Sequence, residues 1–275
     1  MRFFSLLAIY ALIVSTAFAQ TKTPAEQKVI SGIVLLNDKT APDAKAILAA
    51  LKKDWKLKVD SATTADKTIV FSDPGGATVM IAHLDYPVPQ ADIQVAGKIS
   101  WLWKGGTAEA LRHQSQAVIS VVGPAKKALD LYKLFTSVAA GVLEKTNASG
   151  VYMGGQYLIL SRGFYTSAAR NMRDNQTIPL YCWVYIGMTQ DEAQQTNSAY
   201  TFGLQELGLR EMEIVHSKQS LSDVQAILYD AAQTVVKYNL KLQDGQNFTT
   251  LEGQKLTAKL SKAAFQEGET LKLEF

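Results

Sequence analysis

Apolar positions change their period from segment to segment along this chain, and the changes predict its elements. The first apolar run, Phe3 to Val14, follows Met1-Arg2 and precedes Ser15-Thr16-Ala17-Phe18-Ala19-Gln20. A short positive start, an apolar middle and small residues before a cut describe a secretory signal peptide over 1–19, cleaved before Gln20. The run is shorter than the roughly 20 apolar residues of a membrane helix. No later segment reaches that length, so the expectation is an exported chain with no stable membrane span after cleavage, periplasmic or secreted. Residues 20–28 read as a flexible lead-in.

Val29 to Leu36 is continuously apolar except at Ser31 and Gly32, as a strand covered on both faces would be. Thr40 then reads as a helix cap, with Pro42 in the first turn and Ala46, Ile47, Ala50 and Leu51 on one face. Trp55, Leu57 and Val59 alternate with Lys56 and Lys58, which predicts a half-buried strand. Thr68–Phe71 and Ala77–Ala82 flank Asp73-Pro74-Gly75-Gly76, a hairpin with explicit turn chemistry. Residues 90–106 read as loop plus a short helix. Val118–Val122 is a strand, and Pro124 opens a long helix with Ala128, Leu131, Leu134, Phe135, Val138 and Val142 on one side.

Val151–Met153, Tyr157–Leu160 and Leu180–Ile186 are further strands, and Asp191–Tyr200 reads as a loop or short helix. Tyr200–Leu204 and Met212–Val215 are short strands. Ser220 or Ser222 caps a helix facing inward through Val224, Ile227, Leu228, Ala231, Val235 and Val236. Two alternating strands close the chain after Asp244-Gly245. Helices and strands interleave without a βαβ rhythm, so the class is α+β, with mixed, mostly antiparallel sheet and packed helices. One split β-α-β unit is expected in each half, over roughly 29–122 and 179–275. A polar stretch from Asn171 to Pro179 separates an N-terminal part, 29–178, from a C-terminal domain, 179–275.

Composition narrows the partners. Of 28 basic residues only Arg2 lies in the leader, so the mature chain carries one charge fewer than the +3 of the whole. A near-neutral chain has no field for nucleic acid. The single cysteine, Cys182, allows no intramolecular disulfide and reads as a small buried hydrophobe.

Several strings occur together in one order: Ile33–Leu36, Pro87-Val88-Pro89, His113 leading into Ala117–Val121, Gly150-Val151-Tyr152, Pro179–Val184, Thr201–Leu204 with Glu211–Ile214, and Asp244-Gly245. Their order resembles bacterial proteins that carry the domain of unknown function 4261, best over about Leu180 to Phe275. The resemblance implies a bacterial source, which makes the three Asn-x-Ser/Thr triplets idle. That family brings no activity and no residue roles.

Candidate chemistry is sparse. His83, His113 and His216 all stand at element ends, where sites are often built. With Glu211 or Glu213 they could supply an acid/base group; separate capping or surface roles are the alternative. His113, His83 and Glu211 are the catalytic candidates. No His-x₃-His or His-Glu-x-x-His spacing supports a metal, and no cofactor is expected. Lys104-Gly105-Gly106-Thr107 lacks the spacing of a phosphate loop and reads as a turn. Trp101 and Trp103, on one side if extended, and Tyr152 are candidates for ligand binding; the bland alternative buries both indoles. The function expected is non-enzymatic binding of an unidentified protein or small molecule. An envelope hydrolase using the His and Glu residues is the alternative.

Overall fold

A computed structural model describes residues 26–275. The leader over 1–19 and most of the lead-in lie outside those residues. The apolar run after Glu26 forms β1 (Gln27–Leu36), an inner strand of a seven-stranded sheet. The other members are β2 (Asp60–Ala65), β3 (Thr68–Ser72), β4 (Thr78–Leu84), β5 (Ser115–Pro124), β6 (Ala148–Met153) and β7 (Leu158–Ser161). Their order is β2-β3-β4-β5-β1-β6-β7, and every pair is antiparallel. β5 and β6 therefore run parallel to each other on either side of β1. The helix that joins them, α4 (Ala128–Lys145), makes this a split β-α-β unit.

Both faces of the sheet are covered around the C-terminal half of β1, which accounts for its apolar run from Ile33 to Leu36, whereas Val29 and Ser31 on the open part of one face are exposed. Ile30, Val34 and Leu36 face α1 (Ala44–Lys53) and α4, while Leu35 joins Val88, Ile93, Ala96 and Trp103 beneath α2 (Gln90–Ile99) and α3 (Gly106–Ala110). Gly32 lets α4 approach: a Cβ there would stand 2.5 Å from Met153 Sδ and 2.6 Å from the Phe135 ring. Twelve of the 18 residues of α4 are buried, so it is a central helix and not a surface one.

A second sheet holds β8 (Tyr185–Asp191), β9 (Thr196–Phe202), β10 (Met212–Ser217), β11 (Gln246–Thr249), β12 (Lys255–Lys262) and β13 (Glu269–Glu274), in the order β11-β12-β13-β10-β9-β8. β10 and β13 are parallel neighbours, and the other pairs are antiparallel. α6 (Leu221–Tyr238) lies on one face, against Ile186, Ala199, Met212, Ile214 and Leu271. Here α6 returns the chain, through β11 and β12, to a strand beside β10, so this half has no strand between its parallel pair. The protein is α+β, with two mostly antiparallel sheets that share one continuous core. Trp183 seals them together: its indole N–H donates to Thr136 Oγ1 of α4 at 2.8 Å, and its ring lies 5.5 Å from Tyr132.

Several segments differ from the expected elements. Asp43, not Thr40, caps α1, its Oδ1 accepting from Lys45 and Ala46 N–H. Trp55 is buried, but 56–59 form no strand; the strand that follows, β2, is exposed throughout. Residues 90–110 hold two helices. Leu180–Cys182 is a 3-10 turn that delivers Trp183 to the core, and the strand begins only at Tyr185. Asp191–Tyr200 holds the exposed turn of the β8–β9 hairpin and the first residues of β9, where the polar Thr196 and Ser198 are buried in the sheet instead of forming a loop. Residues 162–175, unassigned by their sparse apolar pattern, form α5 (Arg162–Asn175), which buries only Tyr165, Ala169 and Met172. Among the described residues, no helix is long and apolar enough to cross a membrane.

Candidate functional site

The ionisable candidates are distributed through the fold, and His113, Glu211 and Glu213 are committed to local hydrogen bonds. His113 follows α3 and is only 5% exposed. Its Nδ1–H donates to the Ala110 carbonyl at 2.6 Å, and its Nε2 accepts from Val88 N–H at 2.8 Å. These two bonds fix the neutral tautomer and staple the end of α3 to the loop before α2. Burial pushes its pKa down, against the pull of the Ala110 carbonyl.

His83, near the end of β4, is also buried. Ser115 Oγ donates to the Asp38 carbonyl at 2.5 Å, so His83 Nε2–H is the donor in its 3.3 Å contact with Ser115 Oγ. Nδ1 has no partner. Burial lowers the His83 pKa, Lys67 adds to that, and Asp85 and Asp38 oppose it. His216 is exposed at the end of β10, with a φ of 52°.

Glu211 and Glu213 act as internal caps. Glu211 Oε1 accepts from Gly203 N–H at 2.8 Å and Gln205 N–H at 3.0 Å, and Oε2 accepts from the Thr201 hydroxyl at 2.7 Å. They hold the 3-10 turn Leu204–Leu207 against β9. Burial raises the Glu211 pKa, and those same donors oppose the rise. Glu213, fully buried, accepts from Ala264 N–H and pairs with Lys272. Among the described residues, no group of three His, Cys, Asp or Glu side chains stands where it could hold a metal ion.

Trp101 and Trp103 part company, because 100–105 is an irregular loop rather than a strand. Trp103 is 8% exposed and lies in the core under α2 and α3, against Gly106 and Gly150. Trp101 is half-buried; its indole N–H donates to the Ile186 carbonyl at 2.9 Å. Tyr152 packs on the cluster around Trp103 and is partly covered. Cys182 is fully buried, and burial raises its thiol pKa.

Among the described residues a prominent recess lies where the two sheets meet. It has a volume of about 900 Å³ and runs between α5 and α6, floored by 176–182 and the start of α4. Phe164, Tyr181 and Tyr229 supply its aromatic surface. Tyr181 and Tyr229 stack at 4.4 Å, and Trp101 meets Tyr181 edge-on at 5.3 Å. Gln225 Nε2 donates to Tyr181 Oη at 2.9 Å, and Gln233 Nε2 donates to Tyr229 Oη at 2.7 Å and to the Ile178 carbonyl at 2.8 Å. Each phenol therefore keeps its own O–H to offer, and each glutamine its carbonyl oxygen. Burial pushes the Tyr181 phenol up to about 12. Lys133 and Lys237 are balanced in the lining by Asp230 and Glu252. Such a surface binds through neutral donors, acceptors and ring faces.

A second recess, of about 600 Å³, is ringed by arginines already spent on the fold: Arg170 on Glu144, Arg173 on Asp174 and the Asp54 carbonyl, and Arg162 on the Thr146 carbonyl.

The groove residues Tyr181, Gln225, Tyr229 and Gln233 escape a sequence reading. Tyr181 is concealed in what reads as a strand. The others carry one legible signal, a four-residue spacing along the polar edge of α6.

The family model for a domain of unknown function (DUF4261) matches residues 200–274. The match begins at residue 200 rather than near Leu180 and covers the second sheet from the end of β9 to β13 with α6. No curated protein and no solved structure matches the chain.

Proposed function

We propose that this protein is an exported bacterial binding module whose ligand lies in the groove between α5 and α6. One observation carries the reading: a recess of about 900 Å³ gathers neutral hydrogen-bonding groups and aromatic rings at the junction of both sheets, while His113, Glu211 and Glu213 are held by internal hydrogen bonds elsewhere. A hydrolase needs a group free to move a proton at a substrate. His113 has both ring nitrogens held by backbone, and the Glu211 and Glu213 carboxylates cap internal turns. Export rests on the leader's charge, apolar run and Ala-Phe-Ala end.

The binding reading is tested by ligand-observed NMR against a mixed set of peptides, oligosaccharides and uncharged metabolites, with wild type and Tyr229→Ala side by side. The expected result is at least one ligand that binds wild type and loses most of its affinity in the variant. Ligands indifferent to Tyr229→Ala, or none at all, overturn it. Export is checked by N-terminal sequencing of protein expressed in a bacterium with its leader. A start at Gln20 supports it, and an intact Met1 in the cytoplasm overturns it.

A further inference from the structure

The spacing of groups in the groove points to the class of ligand, and we infer that it is an extended peptide held mainly through its main chain; this rests on the binding reading above. Gln225, Tyr229 and Gln233 stand four residues apart on one edge of α6. At 1.5 Å per residue they repeat every 6 Å or so. An extended chain repeats every two residues, at about 6.6–6.8 Å, with N–H and C=O groups facing the same side at that interval. The two periods stay in step over a short segment.

The chemistry agrees with the spacing. A carboxamide offers one acceptor and a pair of donors and so matches a peptide group. On α6 the glutamine N–H groups are turned inward, to Tyr181, Tyr229 and Ile178, which leaves their carbonyl oxygens to accept from a ligand N–H. The Tyr181 and Tyr229 O–H groups remain to donate to a ligand C=O. Across the groove, α5 presents Asn171 and Asn175, again four residues apart, joined only by a long 3.5 Å contact. Two rows of neutral amides thus face one another, with Phe164 and the stacked tyrosines between them for side chains. The balanced charges of the lining disfavour a strongly acidic or basic ligand. Recognition of this kind tolerates many sequences, because the main chain is common to all.

The test titrates purified ¹⁵N-labelled protein with three probes: an end-blocked, uncharged octapeptide of alternating Ala and Ser, the same peptide N-methylated at alternate residues, and maltohexaose. Side-chain amide resonances of Asn171, Asn175, Gln225 and Gln233 report the groove. The expected result is saturable shifts of these resonances with the plain peptide, and at least tenfold weaker binding after N-methylation. Gln225→Leu, checked for an unchanged melting curve, is expected to weaken the plain peptide at least fivefold; if it does not fold, the N-methylated probe still decides. Equal binding of both peptides overturns main-chain recognition. Maltohexaose shifting the groove while peptides do not overturns the peptide inference and leaves the binding reading standing. No shift with any probe overturns the peptide inference, and the wider ligand set then judges the groove separately.

Discussion

Trp101 donates its indole N–H to the carbonyl of Ile186 at 2.9 Å, while the neighbouring Ser100 hydroxyl reaches the Ile159 carbonyl at 3.3 Å. Ile186 belongs to β8 and Ile159 to β7, the facing edge strands of the two sheets. An edge strand presents unpaired backbone groups that must be covered. The loop between α2 and α3 covers both edges at once and clamps the sheets together. Trp101→Phe keeps an aromatic ring, though a smaller one, but removes the donor and is expected to cost about 1 kcal/mol for the hydrogen bond. Trp103→Ala empties a core position and is expected to cost about 3–5 kcal/mol. Urea midpoints of the two variants check the ranking, and equal losses would contradict the division of roles.

His113 and His83 both have lowered pKa values in the fold. The unfolded chain therefore takes up these protons first as pH falls. Their contribution to stability is complete above the ordinary value of 6.5 and is lost progressively below it, down to the folded-state pKa. His113→Phe should be less stable than wild type at pH 7.5 by about 1–3 kcal/mol, since Val88 N–H is left buried and unpaired, while the Ala110 carbonyl still accepts from the backbone N–H of residue 113. Its further loss between pH 7.5 and 5.5 should be smaller than that of wild type. Denaturation at both pH values measures this; an unchanged slope would show that burial does not lower the His113 pKa.

Glu213 and Lys272 pair across parallel neighbours β10 and β13, with Glu213 also capping the turn at Ala264. Removing one member leaves the other buried and uncompensated, so Glu213→Ala or Lys272→Met should each cost about 3–5 kcal/mol. The double replacement Glu213→Leu, Lys272→Met should cost well below the sum. Additive losses would mean that the two groups are not coupled.

The Thr136 hydroxyl serves two masters, accepting from Trp183 Nε1 at 2.8 Å and donating to the Tyr132 carbonyl at 2.8 Å. Thr136→Val keeps the shape and strands the indole N–H, at an expected cost of about 1–3 kcal/mol. Thr136→Ser keeps the hydroxyl and should lose about 1 kcal/mol for the missing methyl. Calorimetric melting distinguishes them, and a Ser variant as unstable as Val would remove the hydrogen bond from the account.

Much of the local structure was legible where one physical cause acts alone. Asp73-Pro74-Gly75-Gly76 turns the chain because Asp73 Oδ2 accepts from Gly75 N–H at 2.7 Å and Gly76 takes a φ of 88°, and both belong to the turn itself. The same holds for Ser220, whose side chain accepts from Asp223 N–H at the start of α6. Elements were missed where the cause lies elsewhere in the chain. α5 is polar along most of its length and becomes a helix because Tyr165, Ala169 and Met172 find a place in the core. The 3-10 turn at Leu180–Cys182 overrides an apolar, β-branched run because Trp183 must reach Thr136.

For the candidate site the division is sharper. Sequence alone determined the α+β class, the principal helices and the apolar strands, since hydrophobic periodicity and turn chemistry are local and burial rewards them wherever the core forms. Only the tertiary structure decided what each polar residue does. His113, Glu211 and Trp101 became internal fasteners because their partners, Val88, Gly203 and Ile186, approach through folding. Tyr181 and Tyr229, 48 positions apart in the numbering, form one surface only after α6 packs beside the 176–182 crossing. A hydrogen bond is directional and satisfied by whichever group arrives in range, and the chain fold alone chooses which one arrives.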